Sequence, residues 1–568
     1  MSDAATTETS VRPATAIDEI AENWVTTLAD LVPDVAIWLG IPGRTGEFAD
    51  LSPAGHEHRI GEIKKVILAL EAATPVDEVD RVTQTDLLAE LRLSVESFDA
   101  RLHERDLNVI ASPAQEIRET FDLMPTETAH DWEVIAERLG NLPGAIDGYI
   151  ETLRKGIADG VVPAKRQARE VAVQARRHAR PDGFFGEFAA GAKSSEGELP
   201  ASLRTELSKG AEGSSAAYAK LAEFLEQELL PAASDQDAVG RELYALHSRH
   251  FLGAVIDLDE TYEWGIEELQ RMVEEQTRIA GEIKPGASVE EAVAFLDADS
   301  SRRLNGTDEL KGWMQALSDR VVDELSRTHF DIPEPIRTLE CMIAPTQDGG
   351  IYYTSPSDDF TRPGRMWWSV PPGVTQFNTW RETTTVFHEG VPGHHLQIAQ
   401  AVYNRGQLNT WRRNLAGTSG HAEGWALYAE RLMGELGYLD EPADRLGMLD
   451  GQRMRAARVV LDLGVHLGKP TLSVDGHSGD GIWEHDYALA FLRRNVNMND
   501  EFIKFEVNRY LGWPGQAPSY KVGQRIWEQI RAEAQRRDGD AFSFKDFHKR
   551  ALDLGGVGLD TLKSVLLG

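Results

Sequence analysis

Apolar residues recur at three- and four-residue spacing along most of the chain, the pattern of helices that bury one face. This periodicity predicts helices over residues 16–32, 57–73, 84–105, 110–122, 128–155, 163–180, 213–230, 235–250, 259–283, 287–296 and 307–328. Leu221, Phe224, Leu225 and Leu229 show it most plainly, as one apolar stripe beside Glu223, Glu226 and Glu228. A second helical series is expected over 379–402, 419–436, 444–466, 481–494, 498–510, 518–536 and 545–553. Strand signals lie only between the two series. Residues 337–344 are largely apolar, and 350–354 and 366–370 are aromatic or β-branched, with Ser, Asp, Pro and Gly turn chemistry between them. The expected fold is mostly α, with a helical N-terminal half over 16–330 and a second half over 331–568 that opens with a small sheet. Residues 192–200 and 467–480 read as loops inside one unit, and residues 1–15 as a disordered tail.

Composition narrows the partners. With 59 basic and 92 acidic residues the formal charge is −33, so nucleic acid and anionic membrane surfaces, which need a basic footprint, are not expected partners. There is no apolar run of membrane-spanning length. Cys341 is the only cysteine, which rules out an intramolecular disulfide. With no basic and apolar leader at the start, a cytoplasmic location is expected.

Candidate chemistry begins at residues 388–395, His-Glu-Gly-Val-Pro-Gly-His-His, and continues at Glu423 in Ala-Glu-Gly-Trp-Ala-Leu-Tyr. Two imidazoles, one distant carboxylate and a glutamate beside the first histidine are the parts of a catalytic Zn2+ site with one open position. A helix is expected to start near Asn378 or Thr379, where Thr379 and Glu382 have capping-box spacing. The usual zinc helix spaces its histidines four apart, but Pro392 occupies that position. In an ideal helix His394 would face away, and His395 would stand about 10 Å up the axis from His388. A break is therefore required. Pro392 lacks the amide that would reach the His388 carbonyl, and Gly393 tolerates the resulting backbone. If the two bulge out, His394 takes the place of the fourth-on histidine; His395 is the alternative. Glu423 then closes the ligand set from a neighbouring helix, while Glu389 acts as general base and acid.

Supporting positions follow. Arg458, Asp462 and His466 are four apart and share one helix face, with His466 a candidate for oxyanion stabilisation and Arg458 for substrate binding. Tyr520 is a candidate hydrogen-bond donor to the oxyanion. Arg509 could take a peptide carboxylate or pair with Glu506. Tyr352 and Tyr353 read as packing residues, His421 as structural, and Glu430 as an acid outside the ligand set.

On these residues the chain resembles the bacterial DUF885 family, in the clan of thermolysin-like zinc peptidases. The likeness is strongest from Ser355-Pro356-Ser357-Asp358 to Trp368 and over residues 388–397, 423–430, 458–466 and 506–523. It favours His394 over His395. It implies a large helical metallopeptidase-like fold with a small sheet beside the active-site helix, and cleavage of short peptides in the manner of an oligopeptidase or carboxypeptidase. Two other functions fit the same residues: a metal-dependent hydrolase of a non-peptide amide or ester, and a non-catalytic helical binding protein.

Overall fold

The helices expected from the periodicity are present, with bounds that shift for local reasons. The structure is a computed structural model that describes residues 11–195, 197–345, 350–473 and 479–568. The first helix ends at Leu31, because Pro33, suited to a first helical turn, opens a second helix, Pro33–Leu39. The stripe around Leu221 belongs to a helix that already begins at Ala201. Gly210 and Gly213 lower its propensity, but Leu203, Leu207 and Ala211 are buried and packing prevails. The short helices Phe184–Ala190, Thr410–Asn414 and Leu559–Leu567 were not marked by the pattern. Residues 1–10 of the expected tail lie outside the described residues. Arg12, in the described remainder of the tail, is held by Asp18, Asp77 and Asp80, and Thr15 caps the helix Ala16–Leu31.

Five short strands make two sheets. β1 (Arg303–Asn305) pairs antiparallel with β5 (Gln376–Asn378). β2 (Leu339–Ile343), β3 (Ile351–Thr354) and β4 (Gly364–Trp368) form the expected small sheet in the order β2-β4-β3, parallel across β2/β4 and antiparallel across β3/β4.

Seven helices frame the candidate site: α1 (Leu258–Ile283), α2 (Thr379–Glu389), α3 (His394–Tyr403), α4 (Ser419–Glu435), α5 (Pro442–His466), α6 (Asp500–Gly512) and α7 (Gln516–Asp538). α5 packs on α1, α2 and α7, and α4 packs on α7. The α4–α7 crossing is very close. A Cβ on Gly523 would stand 2.2 Å from the Gly420 carbonyl, and one on Gly424 would stand 2.5 Å from the Gly523 carbonyl carbon. Two large apolar cores stand out among the described residues. One, from Leu107 to Ala233, is built around the helices Ala129–Asp159 and Ala201–Phe224. The other unites the sheet and site helices with Leu258–Phe330 from the first half. No described helix is long and apolar enough to cross a membrane.

Candidate metal centre

The break in the histidine helix has a definite form. Where one helix over 379–402 is expected, α2 ends at Glu389, residues 390–393 turn, and α3 starts at His394 with Gly393 as its N-cap. Thr379 is already helical and Asn378 holds the cap position, so the expected capping box does not form. The Glu382 carboxylate instead accepts from Trp368 Nε1 of β4 at 3.1 Å. Gly393 is required by closeness. Its amide donates to the Phe387 carbonyl at 3.0 Å, and a Cβ there would stand 1.9 Å from the His388 carbonyl oxygen. Trp425, two residues past Glu423, holds the turn by donating from Nε1 to the carbonyls of Pro392 (2.9 Å) and Gly393 (3.1 Å).

This turn brings together the three residues expected as ligands. One ligand atom from each of His388, His394 and Glu423 lies within 4.8 Å of the others. Glu423 Oε2 stands 3.3 Å from His388 Nε2 and 3.7 Å from His394 Nε2, and the two imidazoles meet edge to face. Four ligands at zinc distances in a tetrahedron lie about 3.3–3.4 Å apart, so the trio fits a zinc ion after a small contraction. Glu389 Oε2 is buried with no hydrogen-bond partner among the described residues, as befits a proton acceptor. Burial opposes charge on His388, but its bonds to Glu423 and Glu430 outweigh this and push it up to about 10. A proton on His388 and a divalent cation are thus alternatives, since both satisfy the same carboxylates. Burial raises the Glu389 carboxyl above its ordinary range, against the pull of His394 and His388.

Behind the ligands runs a chain of positioning contacts. His388 Nδ1 donates to Glu430 Oε1 at 2.7 Å, which leaves Nε2 free for a metal. Gln452 of α5 donates to Glu430 Oε2 at 3.3 Å and accepts from Lys521 Nζ at 2.6 Å. Lys521, 1% exposed, pairs with Glu268 of α1 at 2.9 Å. His395 is excluded as a ligand because both its nitrogens are engaged. Nε2 donates to the Ile336 carbonyl at 2.7 Å, and Nδ1 accepts from the Tyr353 hydroxyl at 2.9 Å. Tyr353 thereby fastens the sheet to α3.

The supporting residues divide. The α4–α7 crossing brings Tyr520 beside Glu423, whose charge, after burial, raises the phenol above its ordinary range. The Tyr520 hydroxyl has no hydrogen-bond partner among the described residues and is not fully buried. The substrate-binding roles expected of Arg458 and Arg509 give way to internal ones. Arg458, 5% exposed, donates to the Tyr510 hydroxyl at 2.7 Å and to Glu506 at 2.8 Å, and its guanidinium lies 5.3 Å from the Tyr520 ring centre. Arg509 donates to Glu506 at 3.0 Å and to Gln516 at 2.7 Å. The oxyanion role expected of His466 is corrected outright: it is 0% exposed, and its nitrogens face the Tyr510 carbonyl at 3.0 Å and the Val239 amide at 3.4 Å. Asp462 likewise serves the fold, accepting from the Tyr244 hydroxyl and the Gly515 amide.

Sequence reasoning overlooked Trp425, Gln452 and Arg455. The polar stripe of α5 gave a signal for two of them, since Gln452, Arg455 and Arg458 follow at three-residue spacing. Arg455 is half-buried. Its Nη1 reaches only its own helix at the Gly451 carbonyl, 3.3 Å away, and its buried Nε is unpartnered. It lies 5.8 Å from the Tyr520 ring centre, close enough to Glu389 and Glu430 to favour their charged forms.

Fold and site together give a mostly helical protein in which two histidines and one glutamate converge as candidate metal ligands. The chain belongs to the DUF885 family, "Bacterial protein of unknown function", whose model matches residues 33–566. Its fold is shared by a "putative lipoprotein" from Colwellia psychrerythraea, with a TM-score of 0.83 and 20% identity over 97% of this chain and 99% of that one. A "putative lipoprotein of unknown function" from Shewanella oneidensis has a TM-score of 0.72 and 16% identity over 98% of this chain and 100% of that one. No curated protein matches.

Proposed function

We propose that this chain is a zinc-dependent peptidase of short peptides, with His388, His394 and Glu423 as zinc ligands. The observation that carries the reading is the convergence of these ligand atoms within 4.8 Å, beside the unpartnered carboxylate of Glu389. When bound, zinc supplies Lewis acidity for a scissile carbonyl and for the attacking water. Glu389 accepts the proton of that water and returns it to the leaving nitrogen. Burial raises its proton affinity, which favours holding the proton between the two transfers. The free Tyr520 hydroxyl donates to the oxygen on which negative charge grows. Access supports slim substrates. His388, Glu389 and His394 are 5%, 6% and 9% exposed, so an extended peptide end fits where a folded surface does not.

Metal analysis combined with cleavage of a peptide library tests this. The expected result is about one zinc per chain in wild type and in Glu389→Gln, with cleavage slowed about 10²- to 10⁴-fold in the variant. Absence of bound zinc, or equal cleavage by both proteins, overturns the reading.

A further inference from the structure

We propose that Arg455 binds a free carboxylate at the end of the substrate, which makes the reaction a carboxypeptidase-type release of a residue from a short peptide. This rests on the peptidase reading above and adds its specificity.

Three observations converge on Arg455. The first is its lack of a counter-ion. The chain holds 92 acidic residues against 59 basic ones, so an arginine near the interior is easily neutralised, as Arg458 and Arg509 are by Glu506. Among the described residues Arg455 has no carboxylate partner, although Glu389 and Glu430 lie near it. Glu430 is committed to His388 and Gln452, and an ion pair from Glu389 to Arg455 does not form.

The second is its unused donor capacity. A guanidinium offers five N–H groups in a planar fork, and here one meets its own helix at 3.3 Å while the buried Nε has no acceptor. A buried donor left unsatisfied is unfavourable, and a bound carboxylate satisfies two donors of the fork at once.

The third is placement. Arg455 lies on α5 one turn past Gln452, which reaches Glu430 behind the first ligand, and one turn before Arg458. Arg455 and Arg458 lie 5.8 Å and 5.3 Å from the centre of the Tyr520 ring, and Tyr520 in turn lies within electrostatic reach of Glu423. The unpaired cation therefore stands beside Tyr520 and within electrostatic reach of Glu389. A peptide that presents its carbonyl to the ligand trio can place its terminal carboxylate on Arg455 only if few atoms separate the two groups. That condition selects the last peptide bond of a short chain.

The test separates this inference from the peptidase reading by measuring binding without turnover. Zinc-loaded Glu389→Gln protein is equilibrated with a mixed tripeptide library bearing free C-terminal carboxylates, and separately with the same library amidated. Retained peptides are quantified by mass spectrometry after ultrafiltration. The expected result is about 10- to 100-fold stronger retention of the acids. Glu389→Gln/Arg455→Gln should lose this preference, and Glu389→Gln/Arg455→Lys should keep part of it, each with unchanged zinc content and melting temperature. Equal retention of acids and amides, retention of neither, or a preference that survives Arg455→Gln overturns the proposal. If Arg455→Gln and Arg455→Lys both lose zinc or melt early, Arg455 is a support of the ligand set and the proposal also fails. Failure of the peptidase reading shows elsewhere: wild type then cleaves neither library, whatever Arg455 binds.

Discussion

At the scale of single residues, side-chain chemistry decides which histidine is free to hold a metal. His394 turns Nε2 toward Glu423, whereas His395 is closed between Tyr353 and Ile336. His394→Ala is expected to abolish stoichiometric zinc and His395→Ala to retain it at a lower melting temperature, as read by metal analysis and thermal unfolding. Loss of zinc in His395→Ala alone would reverse the assignment. The trio of ligands was legible because imidazole and carboxylate in this order have few other uses. The roles of Arg458 and His466 were not, and for Arg509 the pairing with Glu506 was one of two readings. Sequence shows that an arginine is present, but not which carboxylate will neutralise it. Glu506 reaches Arg458 only once α6 has folded against α5. Arg455, the arginine left unpaired, could be singled out only after the other two had been accounted for.

At the scale of elements, Pro392 and Gly393 announced a broken helix, but not what fixes the break. Trp425 does, from the neighbouring helix, by donating to the carbonyls of Pro392 and Gly393. Trp425→Phe keeps the aromatic bulk and removes both bonds. It is expected to destabilise the protein by about 1–3 kcal/mol and to weaken zinc binding, because His394 directly follows the turn. Chemical unfolding and competition with a zinc chelator measure the two effects; unchanged values for both would mean the turn holds itself. The α4–α7 crossing was hidden for a related reason. Gly420, Gly424 and Gly523 read locally as weak helix positions, and only packing reveals them as the place where two backbones touch.

At the scale of the whole molecule, the helical class and the order of helices, sheet and site were legible from periodicity. The partition of cores was not, because nothing local tells Leu258–Phe330 to join the second half. Burial across this core also sets a pH dependence. His395, His421 and His466 are each lowered to about 4 and His548 to about 3, chiefly by burial. Unfolding returns each to about 6.5. Between these values the unfolded chain binds more protons, so each histidine's contribution is present above about pH 6.5 and is lost as pH falls through the window. His548, whose Nε2 accepts from the Tyr428 hydroxyl at 2.7 Å, isolates one such group. Relative to His548→Gln, wild type should lose about 1.4 kcal/mol of stability per pH unit below about pH 6. Parallel denaturation curves for the two proteins from pH 7 to 4.5 would contradict this.

The contacts from His388 through Glu430, Gln452 and Lys521 end on Glu268, in a helix that enters the fold well before the sheet. Linkage is reciprocal, so an ion that steadies His388 also steadies the seat of that distant helix. Stripping zinc should therefore quicken amide hydrogen exchange along Leu258–Ile283, far from any ligand. On the proposed function, supply of the metal would then govern how tightly this mid-chain helix is clasped against the helices that carry the ligands.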